Sequence, residues 1–385
     1  MFILKLLFKN AFRHKLRTSL TLLSIAIAIM AFGLLRTVVS AWYSGVEASS
    51  ATRLITRNAI SLVFPLPLAY KDRIRQVENV TTVSFGNWFG GIYIDRKNFF
   101  PNFAVDPKTY LDLYPELILS PEQRQAFLRD RKGAAAGKKL IERFKWKIGD
   151  LITLQGTIFP GNWEFVLRAI YRGRDENVDE SQFFFHWDYL NEALRKTAPS
   201  RADRVGFYMI GVDHPNNSSN VVQAIDRTFK NSLAETLTET EKAFTLSFIS
   251  MSEAIIVAIQ IVSFVVIGII VAVVANTMSM AARERTWEYA VLKTLGFGGW
   301  HIAGLILGES LLITLMGCAL GMAITFPGAY IFKKSVPMYL PVFQVEETTL
   351  YLDLVAFLGV GILSALIPAW RAIQVRIADG LRRIA

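Results

Sequence analysis

Arg283-Glu284-Arg285-Thr286-Trp287-Glu288-Tyr289-Ala290-Val291-Leu292-Lys293-Thr294-Leu295-Gly296-Phe297 is a charged segment that lies between two long apolar runs of this chain. The run before it covers about 254–276, and the run after it covers about 302–332. Two further apolar runs lie at 19–42 and about 350–370. Because about 20 apolar residues are enough to cross a bilayer as a helix, the sequence predicts four transmembrane α-helices.

The composition agrees with a membrane protein that also has a large polar part. Of the 385 residues, 52% are hydrophobic and 19% are charged, which is too apolar for an ordinary soluble protein. The net charge of +10 raises the question of nucleic-acid binding. However, residues 1–42 contain basic side chains and no acid, so the charge lies beside the first apolar run. This position indicates membrane orientation, and we expect no nucleic-acid partner.

Residues that carry catalysis or bind metals form no recognisable pattern. Cys318 is the single cysteine, and the four histidines have no metal-ligand spacing. The segment 133–139, Gly-Ala-Ala-Ala-Gly-Lys-Lys, resembles a phosphate-binding loop, but it is one residue short and Lys139 replaces the required Ser or Thr. We interpret it as a helix start on a protein surface. The sequence therefore predicts no metal site, no cofactor and no enzyme activity in this chain.

Basic residues in the short segments predict the orientation in the membrane. The N-terminal tail, the charged segment and the C-terminal tail are rich in Lys and Arg, which favour the cytoplasm. We expect both termini in the cytoplasm and the long insert outside a bacterial inner membrane. Residues 1–18 alternate apolar and basic side chains, which is typical of an amphipathic helix on the inner membrane surface. For 19–42, a signal peptide is the rival interpretation, but the run is long and lacks a clear cleavage site.

Residues 43–250 form the insert, whose patterns mix helix and strand and predict an α+β extracytoplasmic domain between transmembrane helices 1 and 2. The strand-like runs are 59–63, 81–85, 151–155, 163–171 and 205–212, and the helical runs are 71–77, 107–114, 121–131, 187–196 and 220–231. Apolar residues from Leu233 to Met251 are spaced for one helical face. We expect a helical stalk continuous with the second crossing, which opens the membrane domain at 251–385.

Three side chains inside or beside the apolar runs are candidates for special roles. Glu309 is costly in a bilayer, so we expect it to pair with Arg285 or a partner protein, or to lie near the inner interface. Arg36 is expected near the outer end of the first crossing, where it reaches the interface. Gly317 and Gly321 are four residues apart and predict close helix packing, within the chain or between two copies.

These features together resemble the MacB/FtsX-like permease subunits of ABC transporters, which include lipoprotein-release and macrolide-export members. Residues 8–18 are similar to the basic N-terminal helix of that family. The coupling segment, at 283–299 here, has the family pattern R-x-x-E-x-x-x-L-[KR]-x-L-G, matched by Arg285, Glu288, Leu292, Lys293, Leu295 and Gly296. Glu309-Ser310, the segment 368–372 and the segment 379–382 also resemble family motifs, although Gly380 replaces the commoner Glu or Ala.

The resemblance implies a permease that binds no ATP itself and pairs with a separate ABC ATPase subunit and a second permease copy or paralogue. In the coupling segment, Leu292 and Leu295 would pack on the membrane domain while Arg285, Glu288 and Lys293 meet the ATPase. A solvated interfacial loop is the alternative. The resemblance leaves open a periplasmic adaptor and an outer-membrane channel as further partners, besides membrane lipids.

Two functions fit this resemblance. The first is export or extraction of an amphiphilic substrate such as a lipoprotein, lipid, drug or peptide. The second is mechanotransmission, in which the chain activates a cell-wall hydrolase or a sensor without moving a substrate. An apolar groove in the insert would favour the first. Its candidate residues are Phe89, Phe99, Phe100, Phe183, Phe184 and Phe185, which serve equally well as ordinary core.

Overall fold

The computed structural model describes residues 2–47, 49–175, 177–335, 342–343 and 345–377. The motif at 379–382 lies outside these residues. The chain divides into two compact units. The first contains the residues up to Ala41 and most of those from Glu253 onward, and we call it the membrane unit. The second contains Trp42–Ser252, and we call it the insert unit.

The elements are numbered in chain order. The helices are α1 (Phe2–Ala11), α2 (Lys15–Glu47), α3 (Tyr70–Arg75), α4 (Pro107–Leu113), α5 (Pro121–Arg129), α6 (Lys138–Phe144), α7 (Trp187–Thr197), α8 (Ser218–Thr228), α9 (Glu241–Ser250), α10 (Glu253–Glu284), α11 (Thr286–Thr294), α12 (Gly299–Ser335) and α13 (Glu347–Gln374). The strands are β1 (Arg53–Asn58), β2 (Leu66–Pro67), β3 (Val80–Trp88), β4 (Gly91–Ile92), β5 (Asn102–Val105), β6 (Leu117–Ile118), β7 (Gly133–Gly137), β8 (Leu151–Gly156), β9 (Gly161–Gly173), β10 (Phe183–His186), β11 (Arg204–Val205), β12 (Phe207–Val212) and β13 (Thr236–Thr240).

Four helices, α2, α10, α12 and α13, are long and apolar enough to cross a membrane. The prediction of four such helices with an α+β domain between the first two is confirmed. The first helix is longer than expected, because α2 continues to Glu47. Arg36 therefore lies eleven residues before the end of the helix, and its position near the outer end of the crossing stays a prediction. The chain turns at residues 12–14 between α1 and α2.

Small residues let the helices of the membrane unit approach one another closely. A Cβ added at Gly317 would lie 2.5 Å from Ile25 Cγ2, and one at Gly321 would lie 2.6 Å from Ile29 Cβ. Both glycines therefore pack α12 against α2 inside one chain, which is the first of the two uses that their spacing predicts. Helix α13 is joined to α12 by polar contacts as well, since Ser310 Oγ donates to the Gly361 carbonyl oxygen at 2.8 Å.

The insert unit is built on a mixed sheet in the order β13-β1-β12-β3-β5-β10-β7-β9-β8-β4, with β6 paired to β9. Strand β10 pairs parallel with β5, and β7 pairs parallel with β9, while the other ladders of this sheet are antiparallel. Strands β2 and β11 form a separate two-stranded sheet. Apolar side chains are buried on both faces of the large sheet, as the alternation along β10 shows. Phe183 and Phe185 join one core cluster and Phe184 joins another.

This packing shows whether the six phenylalanines named as groove candidates line a groove or belong to the core. Phe89, Phe100 and residues 183–185 are fully buried, and Phe99 is half-buried. Five of the six are therefore ordinary core residues. They give no support to an apolar groove.

Three local predictions for the insert are wrong. Residues 133–137 form the buried strand β7, so they are not a helix start, although α6 does begin at Lys138. Residues 59–63 are not a strand, because β1 ends at Asn58, whose side chain accepts a hydrogen bond from the Ile60 amide in a tight turn. The stalk helix is interrupted, since α9 ends at Ser250 and α10 begins at Glu253.

A buried arginine fixes the region where β1 begins. The Arg53 guanidinium donates to Glu116 at 2.6 Å and to Glu241 at 2.9 Å, and it stacks on the Tyr114 ring. Burial opposes the charged form of Arg53, but the two carboxylates outweigh it and raise its pKa. Glu241 is the first residue of α9. This cluster, which we call the Arg53 clamp, therefore joins β1 to α9 and to the chain after α4.

We predict that Gly317→Ala destabilises the protein by about 1–3 kcal/mol, because the new methyl group overlaps Ile25 and forces α12 away from α2. The measurement is thermal unfolding of the purified chain in detergent. The matched control is Gly304→Ala in the same helix, where an added Cβ meets no atom within 4 Å of the described chain. Equal melting temperatures for the two variants would contradict the packing role of Gly317.

Candidate functional site

Helix α11 is a nine-residue helix between two of the membrane helices. The residues at its two ends explain why it begins and ends where it does. Arg285 has a non-helical backbone and separates α10 from α11. At the other end, Gly296 adopts φ +93°, which favours glycine. The Phe297 amide donates to the Leu292 carbonyl oxygen, and the Gly296 amide donates to that of Lys293, each at 3.1 Å. This pair of bonds is a Schellman motif, which ends α11 and reverses the chain.

A buried ion pair joins the start of α11 to α12. Arg285 Nη1 donates to Glu309 Oε2 at 2.6 Å, and both side chains are 9% exposed. Arg285 Nε also lies 3.7 Å from Glu288 Oε2. Burial disfavours the charged form of Arg285, but the Glu309 carboxylate outweighs this, so the pKa of Arg285 is raised. The contact between Arg285 and Glu309 fixes the α10–α11 junction against α12.

A second set of ion pairs joins α11 and the end of α10 to the beginning of α2. Arg13 pairs with Glu288, and Arg17 Nη1 donates to Glu284 Oε2 at 2.8 Å. His14 Nε2 lies 3.5 Å from Glu284. Arg13 and His14 belong to the turn before α2, and Arg17 belongs to its first turn. The turn itself is held by Thr18, whose hydroxyl donates to the Ala11 carbonyl oxygen.

The last residues of α11 are fastened to the end of α13. Lys293 Nζ donates to the carbonyl oxygens of Ile373 and Val375, both at 2.7 Å. Ile373 lies in the last turn of α13 and Val375 is the residue that follows its end, so neither carbonyl oxygen has a partner within the helix, and both attract a cation. Apolar packing adds to this tie. Tyr289 and Ala290 are buried beside residues of α12 and α13, and Leu292 packs against the same cluster.

Beyond the cap of α11, the chain exposes large apolar side chains. Leu295 is 70% exposed and Trp300 is 83% exposed, with Phe297 about half exposed between them. We call these three residues the apolar tip. The Phe297 ring contacts His301 edge-on at a centroid distance of 6.0 Å. Three large exposed apolar side chains within six residues make the apolar tip a candidate binding surface.

The structure brings together most of the residues that the sequence pattern singled out, but not in the expected directions. Leu292 packs on the membrane helices, as predicted. Leu295 points away from them instead, because it follows the end of the helix. Arg285 and Lys293 were expected to face a partner, yet both bond within the chain. Glu288 is half-buried between two arginines.

Sequence reasoning missed several members of this site. Arg13 and Arg17 were interpreted only as orientation signals, and nothing in their spacing identifies Glu288 and Glu284 as their partners. Phe297 and Trp300 were detectable, since they follow a glycine typical of a helix end. Among the described residues, no group of three or more His, Cys, Asp or Glu side chains is placed to hold a metal ion.

Curated relatives of this chain are ABC transporter permeases. The ABC transporter permease YtrF of Bacillus subtilis is 29% identical over 121 residues, which cover 28% of each protein. The macrolide export ATP-binding/permease protein MacB of Rhodopseudomonas palustris is 25% identical over 267 residues, covering 68% of this chain and 37% of MacB. An uncharacterized ABC transporter permease of Methanocaldococcus jannaschii, MJ1507, is 23% identical, covering 82% of this chain and 81% of that protein. The chain thus spans well under half the length of the first two relatives.

Solved structures of two transporter domains are similar to part of the chain. The extracellular domain of the transporter YknZ from Gram-positive bacteria aligns with 49% of this chain and 100% of that domain, with a TM-score of 0.37 and 10% identity. The periplasmic region of MacB from Actinobacillus actinomycetemcomitans aligns with 53% of this chain and 95% of that region, with a TM-score of 0.38 and 8% identity.

The membrane unit contains the segment of the chain that matches a known protein family. Residues 260–377 match the FtsX-like permease C-terminal family. This segment begins inside α10 and includes α11, α12 and α13, so it contains α11 and its ties to the helices that follow. The chain accordingly contains an FtsX-like permease C-terminal domain and is similar in sequence to permeases of MacB-like ABC transporters.

Proposed function

We propose that this permease transmits the ATP-driven motion of a separate ABC ATPase subunit to its inserted domain, and thereby exports or extracts an amphiphilic substrate. The ATPase would bind at the apolar tip, and α11 would act as the coupling helix. The observation that carries this proposal is that α11 is fastened to each of the neighbouring helix ends. A push on α11 would therefore displace these ends together.

The contacts that hold α11 and its flanking residues differ in physical basis and join them to different helices. Together they would resist displacement of α11 in several directions. The Arg285–Glu309 pair is buried and directional, because removing either charge would leave the other unpaired in a dry site. Lys293 holds the end of α13 by two hydrogen bonds. The Arg13–Glu288 and Arg17–Glu284 pairs are more exposed and weaker, so they suit contacts that change during a cycle.

The apolar tip supports a protein partner. Aromatic and large aliphatic residues are enriched in the energetically important parts of protein interfaces. The tip lies on the side of the membrane that the basic residues assign to the cytoplasm, where an ATPase has access to ATP. Both termini would lie on that side and the insert outside a bacterial inner membrane. A second permease copy or paralogue would complete the transporter, and an adaptor and outer-membrane channel are further candidate partners.

The substrate class rests on the relatives and not on a visible binding groove. One relative is named as a macrolide exporter, and we extend this to amphiphilic cargo only as a class. The decisive experiment is affinity purification of the tagged chain in mild detergent, followed by mass spectrometry and an ATPase assay. A stoichiometric ATPase subunit with vanadate-sensitive activity is expected. Its absence in several detergents and in nanodiscs would contradict the proposal.

We predict that the double variant Leu295→Ala/Phe297→Ala lowers the amount of co-purified ATPase subunit by about tenfold, the effect of losing one binding hot spot. The matched control is Phe264→Ala, which removes an exposed ring from the middle of α10, away from α11. Both variants should be expressed in the membrane at the wild-type level. Equal recovery of the ATPase with both variants would show that the apolar tip is not its binding surface.

We also predict that Glu288→Lys lowers the stimulated ATPase rate by about tenfold, a typical coupling between two sites, while the complex still assembles. The new charge repels Arg13 and Arg285 and so loosens α11 from α2. Glu347→Lys, at the opposite end of the fourth membrane helix, is the control. A stimulated rate equal to wild type for Glu288→Lys would remove this residue from the coupling path.

The proposed orientation is tested by labelling with a membrane-impermeant thiol reagent in right-side-out vesicles. We predict that Leu233→Cys reacts in intact vesicles, because Leu233 is fully exposed on the insert unit. Thr294→Cys, on the exposed side of α11, should react only after lysis. The native Cys318 is buried and gives a low background. The reverse labelling pattern would overturn the orientation.

A further inference from the structure

Asp353 is a buried acid inside the fourth membrane helix. It lies in α13, in the second turn after Glu347, and is 0% exposed. Neither carboxyl oxygen has a hydrogen-bond partner among the residues that the structure describes. An ionisable side chain inside a membrane helix is rare and costly, and it usually has a functional partner. The sequence shows the same signal, since Asp353 is an acid within the apolar run at about 350–370.

A half-buried arginine, Arg36, lies near the same point on the facing helix. Helices α2 and α13 come close to each other at Gly33, because a Cβ added to Gly33 would lie 3.2 Å from Asp353 Oδ2. Arg36 follows Gly33 by three residues, which puts it about 4.5 Å further along the helix and on the same face. Arg36 Nε is buried and also has no hydrogen-bond acceptor in the described part of the chain.

The other groups around Asp353 do not satisfy it. Thr325 lies beside the same point of α2, but its hydroxyl already donates to the Gly321 carbonyl oxygen at 2.8 Å. No charged group forms an ion pair with Asp353 within 4.0 Å in the described residues. Arg36 Nε and the Asp353 carboxyl oxygens, which lack hydrogen-bond partners in the described residues, therefore belong to positions within about one helical turn, 5.4 Å, of one another as measured along α2. A displacement smaller than a turn, or a change of the Arg36 rotamer, would bring them into contact.

We propose that Arg36 and Asp353 form an ion pair in a second arrangement of the membrane helices, so that the present structure shows a latch between α2 and α13 in its open state. This inference deepens the proposed function, since it names a contact that would form during the transmitted motion. Gly33 suits such a contact, because the absence of a side chain lets the Asp353 carboxyl move along α2. The ion pair would stabilise the second arrangement by removing two unsatisfied buried groups at once.

The open latch contrasts with the fixed pairs at the other end of α2. Arg17, in the first turn of α2, is paired with Glu284 at the end of α10. Arg36 lies nineteen residues later, about 28 Å along the helix, and has no such tie to any residue that the structure describes. A helix that is held at one end and unpaired near the other can tilt about the held end. This tilt would change the distance between the Arg36 and Asp353 side chains.

Cross-linking in native membranes tests whether the two positions meet. Arg36→Cys and Asp353→Cys are combined in a Cys318→Ala chain, and a short bifunctional thiol reagent is added with and without ATP and vanadate. We expect cross-linking that differs at least threefold between the two conditions. The control pair, Arg36→Cys with Leu354→Cys, places the second thiol on an exposed side of α13 one residue away. Yields that match the control in both conditions would overturn the latch.

A second measurement separates an ion pair from mere proximity. The stimulated ATPase rate is compared for Arg36→Gln, Asp353→Asn and the double variant. Asp353→Asn keeps the side-chain size, and Arg36→Gln replaces the charge by a shorter polar side chain. If the pair forms, each single variant lowers the rate and the double variant loses no more than the worse single variant. Additive losses, or an Asp353→Asn rate equal to wild type, would overturn the ion pair. Cross-linking can be measured without a bound ATPase. If the cross-link exceeded the control equally in both conditions and no ATPase co-purified, the contact would be supported and the proposed function rejected.

Discussion

The buried contact between Arg285 and Glu309 is the constraint on which the membrane unit depends. Both side chains are removed from water, and each would be left as an isolated charge if the other moved away. Desolvation makes a buried pair a poor source of net stability, yet it makes every arrangement that breaks the pair expensive. The pair thus acts as a positional constraint. It sets where α10 ends, where α11 begins and which face of α12 they meet.

The other features of the site follow from that constraint. With its first residue fixed, α11 can extend for only nine residues before Gly296 reverses the chain. That length brings Lys293 to the unsatisfied carbonyl oxygens at the end of α13. It also places the apolar tip outside the packed helices. The same residues therefore determine both what is held inside the unit and what is left for a partner. The insert unit uses a comparable device, since the buried Arg53 joins two carboxylates from separate segments.

The apolar runs and the mixed α+β pattern were readable from the sequence because they depend on hydrophobicity and period, which are local. The role of Gly317 in close packing was readable as well, but its partner was not, because a small-residue spacing does not identify the facing helix. The strand at 133–137 was misjudged since Gly and Ala have low strand preference, and only the tertiary packing of the sheet explains their burial there. The Arg13–Glu288 pair joins residues 275 apart, a separation that no local pattern reveals.

The buried charges of the membrane unit fall into two kinds, and the difference has a mechanical meaning. Arg285 and Glu309 are matched, so any motion that parts them is opposed by the cost of two isolated buried charges. Arg36 Nε and the Asp353 carboxyl oxygens have no partner in the described residues, so a motion that joins them would satisfy both groups. The matched pair lies near the α11 end of the membrane helices, so the unit is rigid where a push would enter. The unmatched groups lie farther along α2 and α13, where they have no hydrogen-bond partner among the described residues. Such a distribution favours movement of α2 against α13 away from α11, while the helix ends beside α11 are displaced together with it.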